Sequence, residues 1–319
     1  MERTTTAHEV GSSRFRITRR GLQIALGLVW LLDGGLQFQS VFYSHGFTDG
    51  LREQAAGQPI WLAHSITWAA NLAAHDLGVW NTLFALTQVL IGLALLWRPT
   101  VKLALAASFA WVLFVWWFGE AFGMLFANLA EPLTGAPGGV LLYALVGVLV
   151  WPGERAAGLL TARGARIMWA SLWLVVAWLW LGPASSGTHS VSDVLEAGGS
   201  GIGPLTSAQH WVAGWTAGGG LVIAIFFAIL SAVIAIGVGT DHWARPLLWL
   251  SIGMNLVLWI LGQSVGELFA GGATDPNAGP LFILLALAML PVVDAERRTT
   301  AIAHGDLPMA CERRQKSKR

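Results

Sequence analysis

The chain has 319 residues, of which 55% are hydrophobic and only 12% charged, and its mean hydropathy is +0.60. A soluble globular domain carries about 25% charged residues, so too few charges are present to cover a water-facing surface of this size. The net charge of +1 offers no field for a nucleic-acid partner, and the single cysteine, Cys311, excludes disulfide staples, CxxC redox chemistry and multi-thiolate metal sites within the chain.

Charge-free stretches define the class. Residues 77–97, 103–119, 132–153, 167–192, 197–240 and 246–266 contain no charged side chain. A bilayer core about 30 Å thick takes about 20 mostly apolar residues as helix, because lipid offers no partner to backbone N–H and C=O groups. The predicted fold is therefore all-α and polytopic, surrounded by a lipid bilayer, with about eight transmembrane helices near 20–38, 77–97, 101–127, 137–152, 166–184, 217–238, 244–270 and 278–293. The first apolar run, Gly21–Leu32, follows Arg14, Arg16, Arg19 and Arg20 and has the outline of a secretory signal. Asp33-Gly34-Gly35 interrupts it and no small-x-small site follows, so it reads as a retained first helix.

With a cytoplasmic N-terminus, the inward segments carry Arg14 to Arg20, then Arg98 and Lys102, then Arg155, Arg163 and Arg166, then Arg245, then Arg297 onward, while the outward segments carry only Arg52. That is the positive-inside pattern, and seven or nine spans would break it. Both termini are expected on the cytoplasmic side of the inner membrane, with long outer loops at 39–76 and 185–216. Of the 18 tryptophans, Trp80, Trp97, Trp151 and Trp243 fall near helix ends as interfacial anchors, and Trp111, Trp116 and Trp117 lie deeper.

The strongest pattern is a duplication. Residues 116–127 read WWFGEAFGMLFA and residues 259–270 read WILGQSVGELFA, with six of twelve positions identical. Upstream, the segment from Ser44 through His45 to Asp49 resembles that from Thr188 through His189 to Asp193, and Pro59 and His64 have counterparts in Pro204 and His210. An even number of spans per unit makes the repeats parallel. The expected division is a tail at 1–19, a four-helix repeat at 20–152, a cytoplasmic linker at 153–165, a second repeat at 166–293, and a basic tail at 294–319. Gly119, Gly123 and Ala127, and again Gly262, Gly266 and Ala270, recur at spacing four, which predicts a small-residue stripe for close helix packing.

Ionisable groups inside a span are costly and mark functional positions. Asp33 falls about 20 Å along a helix from Arg20, and Glu120 about 27 Å from Lys102, at 1.5 Å per residue. Both sit in the outer part of the bilayer, where converging carboxyls bind a cation, relay protons or orient a quinone carbonyl. With Gln37 they form the expected ligand pocket. The second unit differs: Gln263 replaces Glu120, Leu181 or Gly182 stands where Asp33 aligns, and Glu267 appears at the position of Met124, which favours a single site while leaving Gln263 and Glu267 as further ligand-binding candidates. His45, His64, His189 and His210 form a repeated outer pair that offers transition-metal ligands. His64 and His75 lie about 16 Å apart if one straight helix holds both, too far to share an ion.

A four-span unit whose first helix ends Leu32-Asp33-Gly34-Gly35-Leu36-Gln37, followed by a long loop, and whose third helix ends Gly119-Glu120-Ala121-Phe122-Gly123, resembles the DoxX/DoxD-like membrane proteins. This chain would be a tandem duplication of that unit over about residues 15–293. The resemblance implies a membrane subunit of a quinone-linked or oxidant- and sulfur-handling redox system, working with an oxidoreductase or extracytoplasmic partner. The residues themselves leave two other readings open: a transporter or metal-handling protein, and a non-catalytic scaffold for an extracytoplasmic partner.

Overall fold

The computed structural model describes residues 17–303, and these are helical with no strand among them. Arg14, Arg16, His8, His304, Cys311 and most of both predicted tails lie outside the described residues. In chain order the helices are α1 (Arg19–Leu36), α2 (His45–Gln54), α3 (Ile60–Ala74), α4 (Leu77–Leu96), α5 (Val101–Phe118), α6 (Gly139–Val150), α7 (Ala162–Trp180), α8 (Pro183–Ser186), α9 (Ser190–Ala197), α10 (Gly203–Thr216), α11 (Gly220–Gly239), α12 (Ala244–Leu261) and α13 (Ala278–Ala303). Five helical segments are long and apolar enough to cross a membrane: Leu77–Leu96, Arg98–Ala127, Gly220–Gly239, Ala244–Leu261 and Ala278–Arg297. The chain is a helical membrane protein.

Local chemistry sets the helix ends. The Thr18 hydroxyl accepts from Gly21 N–H to start α1, and Thr161 accepts from Gly164 N–H to start α7. Basic side chains close other ends: Arg20 donates to the last carbonyls of α4, at Leu95 and Leu96, and Arg166 donates to Val238 O of α11. Arg166 also pairs with Asp241 and Glu296, joining the ends of α7, α11 and α13. These arginines are thus helix caps as well as the charges that mark one side of the bundle.

α1 lies against α4, and α7 against α11. Glycines make the first contact close. A Cβ on Gly34 would stand 2.6 Å from Val89 Cγ2 and 2.8 Å from Val89 N, and one on Gly92 would stand 2.8 Å from Gly27 O. α6 and α13 pack on each other at the centre, and the apolar window of α13 is 67% buried where the other four candidate spans range from 28% to 39%. Four tryptophans, Trp30, Trp169, Trp173 and Trp180, are wholly enclosed in the same core.

Three expectations are corrected. The segments 39–76 and 185–216 are not open loops but short helices, α2 and α3 in one and α8 to α10 in the other. The helices expected to run to residues 127 and 270 stop at Phe118 and Leu261. Beyond those stops the backbone turns left-handed, with positive φ at Ala121, Phe122, Gly123 and Met124 and again at Ser264, Val265, Gly266 and Glu267.

The small-residue stripe consequently does not exist, because an i, i+4 spacing makes a stripe only on a continuous right-handed helix. Gly123 instead lets the left-handed turn press on the next segment, where a Cβ would stand 2.2 Å from Pro137 O. Gly266 meets Pro276 O at 2.6 Å in the same manner. Gly119 faces only its own helix at Val115, whereas Gly262 does make a close contact between the halves, 2.6 Å from Leu133 O. Substituting Gly123→Ala should destabilise the protein by about 1–3 kcal/mol through strain at positive φ and the backbone clash. Gly253→Ala, in the open middle of α12 with nothing within 4 Å, should be neutral or stabilising by up to about 1 kcal/mol. Thermal unfolding of both variants in detergent reads the difference.

Candidate functional site

The two left-handed turns are built alike. Trp116 Nε1–H donates to Pro137 O at 3.1 Å, and Trp259 Nε1–H donates to Pro276 O at 2.7 Å. Glu120 Oε1 accepts from Val140 N–H at 3.0 Å, capping α6, and Gln263 Oε1 accepts from Gly279 N–H at 2.9 Å, capping α13. A helix start leaves four N–H groups without intrahelical partners, and each turn swings one long side chain back to satisfy one of them. Carboxylate and amide serve equally as that acceptor.

In the N-terminal half this arrangement borders a cavity of about 540 Å³ between α1, α2, α3, α4, α5 and α6, with the loop at 271–277 from the other half over it. Asp33, Gln37 and Glu120 all line it, so the three expected ligand residues are brought together. Asp33 is 2% exposed; its Oδ2 accepts from the Tyr143 hydroxyl, and its Oδ1 has no hydrogen-bond partner among the described residues. Glu120 spends Oε1 on α6 and leaves Oε2 unpaired, and the side-chain oxygens of Gln37 and Gln54 are unpaired as well. Two donors are in the same state, the indole N–H groups of Trp30 and Trp111. The walls are aromatic: Phe84 lies 5.7 Å from Trp111 and 5.9 Å from Phe114, and the Trp30 ring sits 4.4 Å from Tyr143.

The remaining sequence candidates lie elsewhere. Gln263 is a buried helix cap and Glu267 is exposed on its turn, and neither lines the cavity. His45, His64, His189 and His210 are all exposed, and among the described residues no group of three or more His, Cys, Asp or Glu is placed to hold a metal ion. The repeated histidine pairs therefore belong to no such group among the described residues. His75 closes α3, with Nδ1 against Asn71 O at 2.7 Å.

Tyr143 and Asp275 line the cavity but were not among the sequence candidates. Tyr143 carried a signal, being one of only two tyrosines in the chain and the one polar side chain within α6. Asp275 had none, since it belongs to the loop preceding α13. That loop is tied across to the first half by Asn277, which donates to Thr134 O at 3.2 Å, and by Gln39, which donates to Ala273 O at 3.1 Å.

The second half has no equivalent chemistry. The Thr18 and Thr161 caps, and the pairing of Trp30 with Tyr143 and of Trp173 with Phe282, set α1 and α7 in one register. In that register Val176, not Leu181 or Gly182, takes the place of Asp33, and Phe282 takes that of Tyr143. Both are buried. A hydrogen-bonded polar pair in one half is an apolar pair in the other.

Glu131, in the loop between α5 and α6, is half-buried, and its covered Oε1 has no partner among the described residues. Loss of hydration pushes its carboxyl up to about 7. A raised carboxyl holds its proton more tightly in the folded state, so its contribution to stability falls as pH rises from the ordinary glutamate range through about 7. Glu131→Gln should therefore raise the thermal midpoint on the alkaline side of that range and leave it unchanged in mild acid, as melts of both proteins across a pH series would record.

Asp33→Val should strand the Tyr143 hydroxyl, and Tyr143→Phe should strand the carboxyl, each costing about 1–3 kcal/mol. The double variant, which copies Val176 and Phe282, should recover most of the loss. A double-mutant cycle of unfolding free energies gives the coupling directly.

Compared with protein-family models, with curated proteins and with solved structures, the chain shows no match.

Proposed function

We propose that this chain is an inner-membrane protein of eight spans, α1, α4, α5 and α6 followed by α7, α11, α12 and α13, laid out as two parallel four-helix repeats with both termini cytoplasmic. The repeated caps, left-handed turns and indole bonds support the duplication. The arginines gathered at the ends of α4, α7 and α11 support the sidedness, which puts α2, α3 and the cavity on the outer side.

We further propose that it serves, like the DoxX-like proteins it resembles, as the membrane subunit of a redox system, with a quinone as its ligand. One observation carries this reading: the aromatic cavity holds both unpaired donors, at Trp30 and Trp111, and unpaired acceptors, at Asp33, Glu120, Gln37 and Gln54. A buried polar atom without a partner costs about 1–3 kcal/mol, and this set matches a flat molecule that alternates between carbonyl and hydroxyl. Trp30 and Trp111 would hold its carbonyl oxygens as donors, and Asp33 and Glu120 would accept from its hydroxyls and hold protons released on oxidation. The aromatic walls stack on the ring, and exposed Trp68, Leu72 and Phe114 line a side of the cavity along which an apolar tail reaches lipid. With Cys311 the chain's only thiol, electrons pass to or from a partner oxidoreductase.

Equilibrium dialysis of the detergent-purified protein against a radiolabelled short-tailed quinone should give saturable binding. Trp111→Phe keeps the ring and removes one donor, and should weaken binding about tenfold, the equivalent of about 1.4 kcal/mol. Absence of saturable binding, or an affinity that Trp111→Phe leaves unchanged, would refute the assignment.

A further inference from the structure

The charge inventory of the cavity is one-sided. Asp33 comes from α1, Glu120 from the end of α5 and Asp275 from the loop before α13, and the phenol of Tyr143 comes from α6. The lining residues of α2, α3 and α4 include no charged side chain, and no Lys, Arg or His lines the cavity among the described residues. Arg52, on α2, is turned to Asp49 at 2.6 Å and Asn71 at 3.0 Å and lies outside the wall. Asp275 stands close enough to act electrostatically on both Asp33 and Glu120.

We infer that this cavity takes up a lipophilic organic cation, a quaternary ammonium or phosphonium, in exchange for a carboxyl proton. Two independent features point to that ligand. An ionised carboxylate withdrawn from water is penalised by several kcal/mol unless a cation or a proton neutralises it, and the Asp33 Oδ1 is 98% withdrawn as part of its residue and unpaired. Trp30, Trp80, Phe84, Trp111 and Phe114 line the same cavity, and a cation over an aromatic face gains about 0.5–2 kcal/mol. A small hydrated metal ion finds no set of three ligands here, whereas a cation wrapped in apolar groups meets an apolar wall and brings the charge that the acids lack. The volume of about 540 Å³ lies inside the range of about 300–1,000 Å³ typical of small-molecule sites.

The exchange balances without a redox partner. One carboxyl O–H bond breaks, its proton leaves to the aqueous side, and the cation takes the proton's place beside the carboxylate. No electron moves, and the net charge of the site is unchanged.

The inference rests on the cavity and not on the quinone assignment, so the two fail separately. Tetraphenylphosphonium binding to the full-length protein in detergent should tighten about tenfold per pH unit while one proton is displaced. Addition of the cation in weak buffer should release that proton to an indicator dye. Glu120→Gln retains the acceptor that caps α6, as Gln263 does for α13, so it keeps the fold; it should weaken binding at least about threefold and lower the proton yield. Asp33→Asn should flatten the pH dependence. The inference is overturned by equal binding of neutral tetraphenylsilane, by pH-independent binding without proton release, or by affinities unaltered in both variants.

Discussion

Where α5 gives way to α6, and again where α12 gives way to α13, an indole N–H and one side-chain oxygen hold a backbone that no regular helix can supply. Between apolar helices there is little water to satisfy the free N–H groups at a helix start, and each unsatisfied group costs several kcal/mol. Trp116 and Glu120 meet that demand in one place, Trp259 and Gln263 in the other. The helices they start, α6 and α13, pack on each other and on α5 and α12, and α13 is the most enclosed of the candidate spans. Function is tied to the same bonds. By folding back to cap α6, the turn carries the Glu120 carboxyl to the cavity wall with one oxygen engaged and the other free.

Much of this was legible in the residues. Charge-free stretches pick out the long helices, although the two expected to run to residues 127 and 270 end at Phe118 and Leu261, and the two tryptophan-led dodecapeptides mark the repeated segments without revealing that they turn. Asp33 and Glu120 stand out because a charge inside a span is expensive, and they do meet in one cavity with Gln37. The glycine stripe misled for a definite reason: residues spaced by four look the same whether the backbone between them is right-handed or turns through positive φ, and composition carries no record of φ at Phe122 or Val265. Tyr143 escaped notice because an aromatic in an apolar run ordinarily packs, and only the position of its hydroxyl against Asp33 gives it another role. Asp275 was out of reach, since its place over the cavity depends on Asn277 and Gln39 bridging the two halves. Segments 39–76 and 185–216 looked like loops because none of their helices reaches the length of a bilayer span, α3 being 15 residues and α10 14.

The difference between the halves sharpens what the cavity is for. Gln263 in place of Glu120 preserves the cap and removes the charge. Val176 and Phe282 in place of Asp33 and Tyr143 remove both members of a hydrogen bond, and the C-terminal half fills its space with rings, Trp180 stacking on Phe227 at 4.7 Å. Replacing a buried polar pair by an apolar pair of similar shape is close to neutral or even stabilising. Folding alone therefore does not require Asp33, Tyr143 or the charge on Glu120, because the same architecture stands without them a few helices away. Their joint presence beside an aromatic cavity, with Asp275 contributed from the C-terminal half, is what the proposed acid-binding ligand would account for, and Asn277 and Gln39 are the ties that hold that fourth polar group in place.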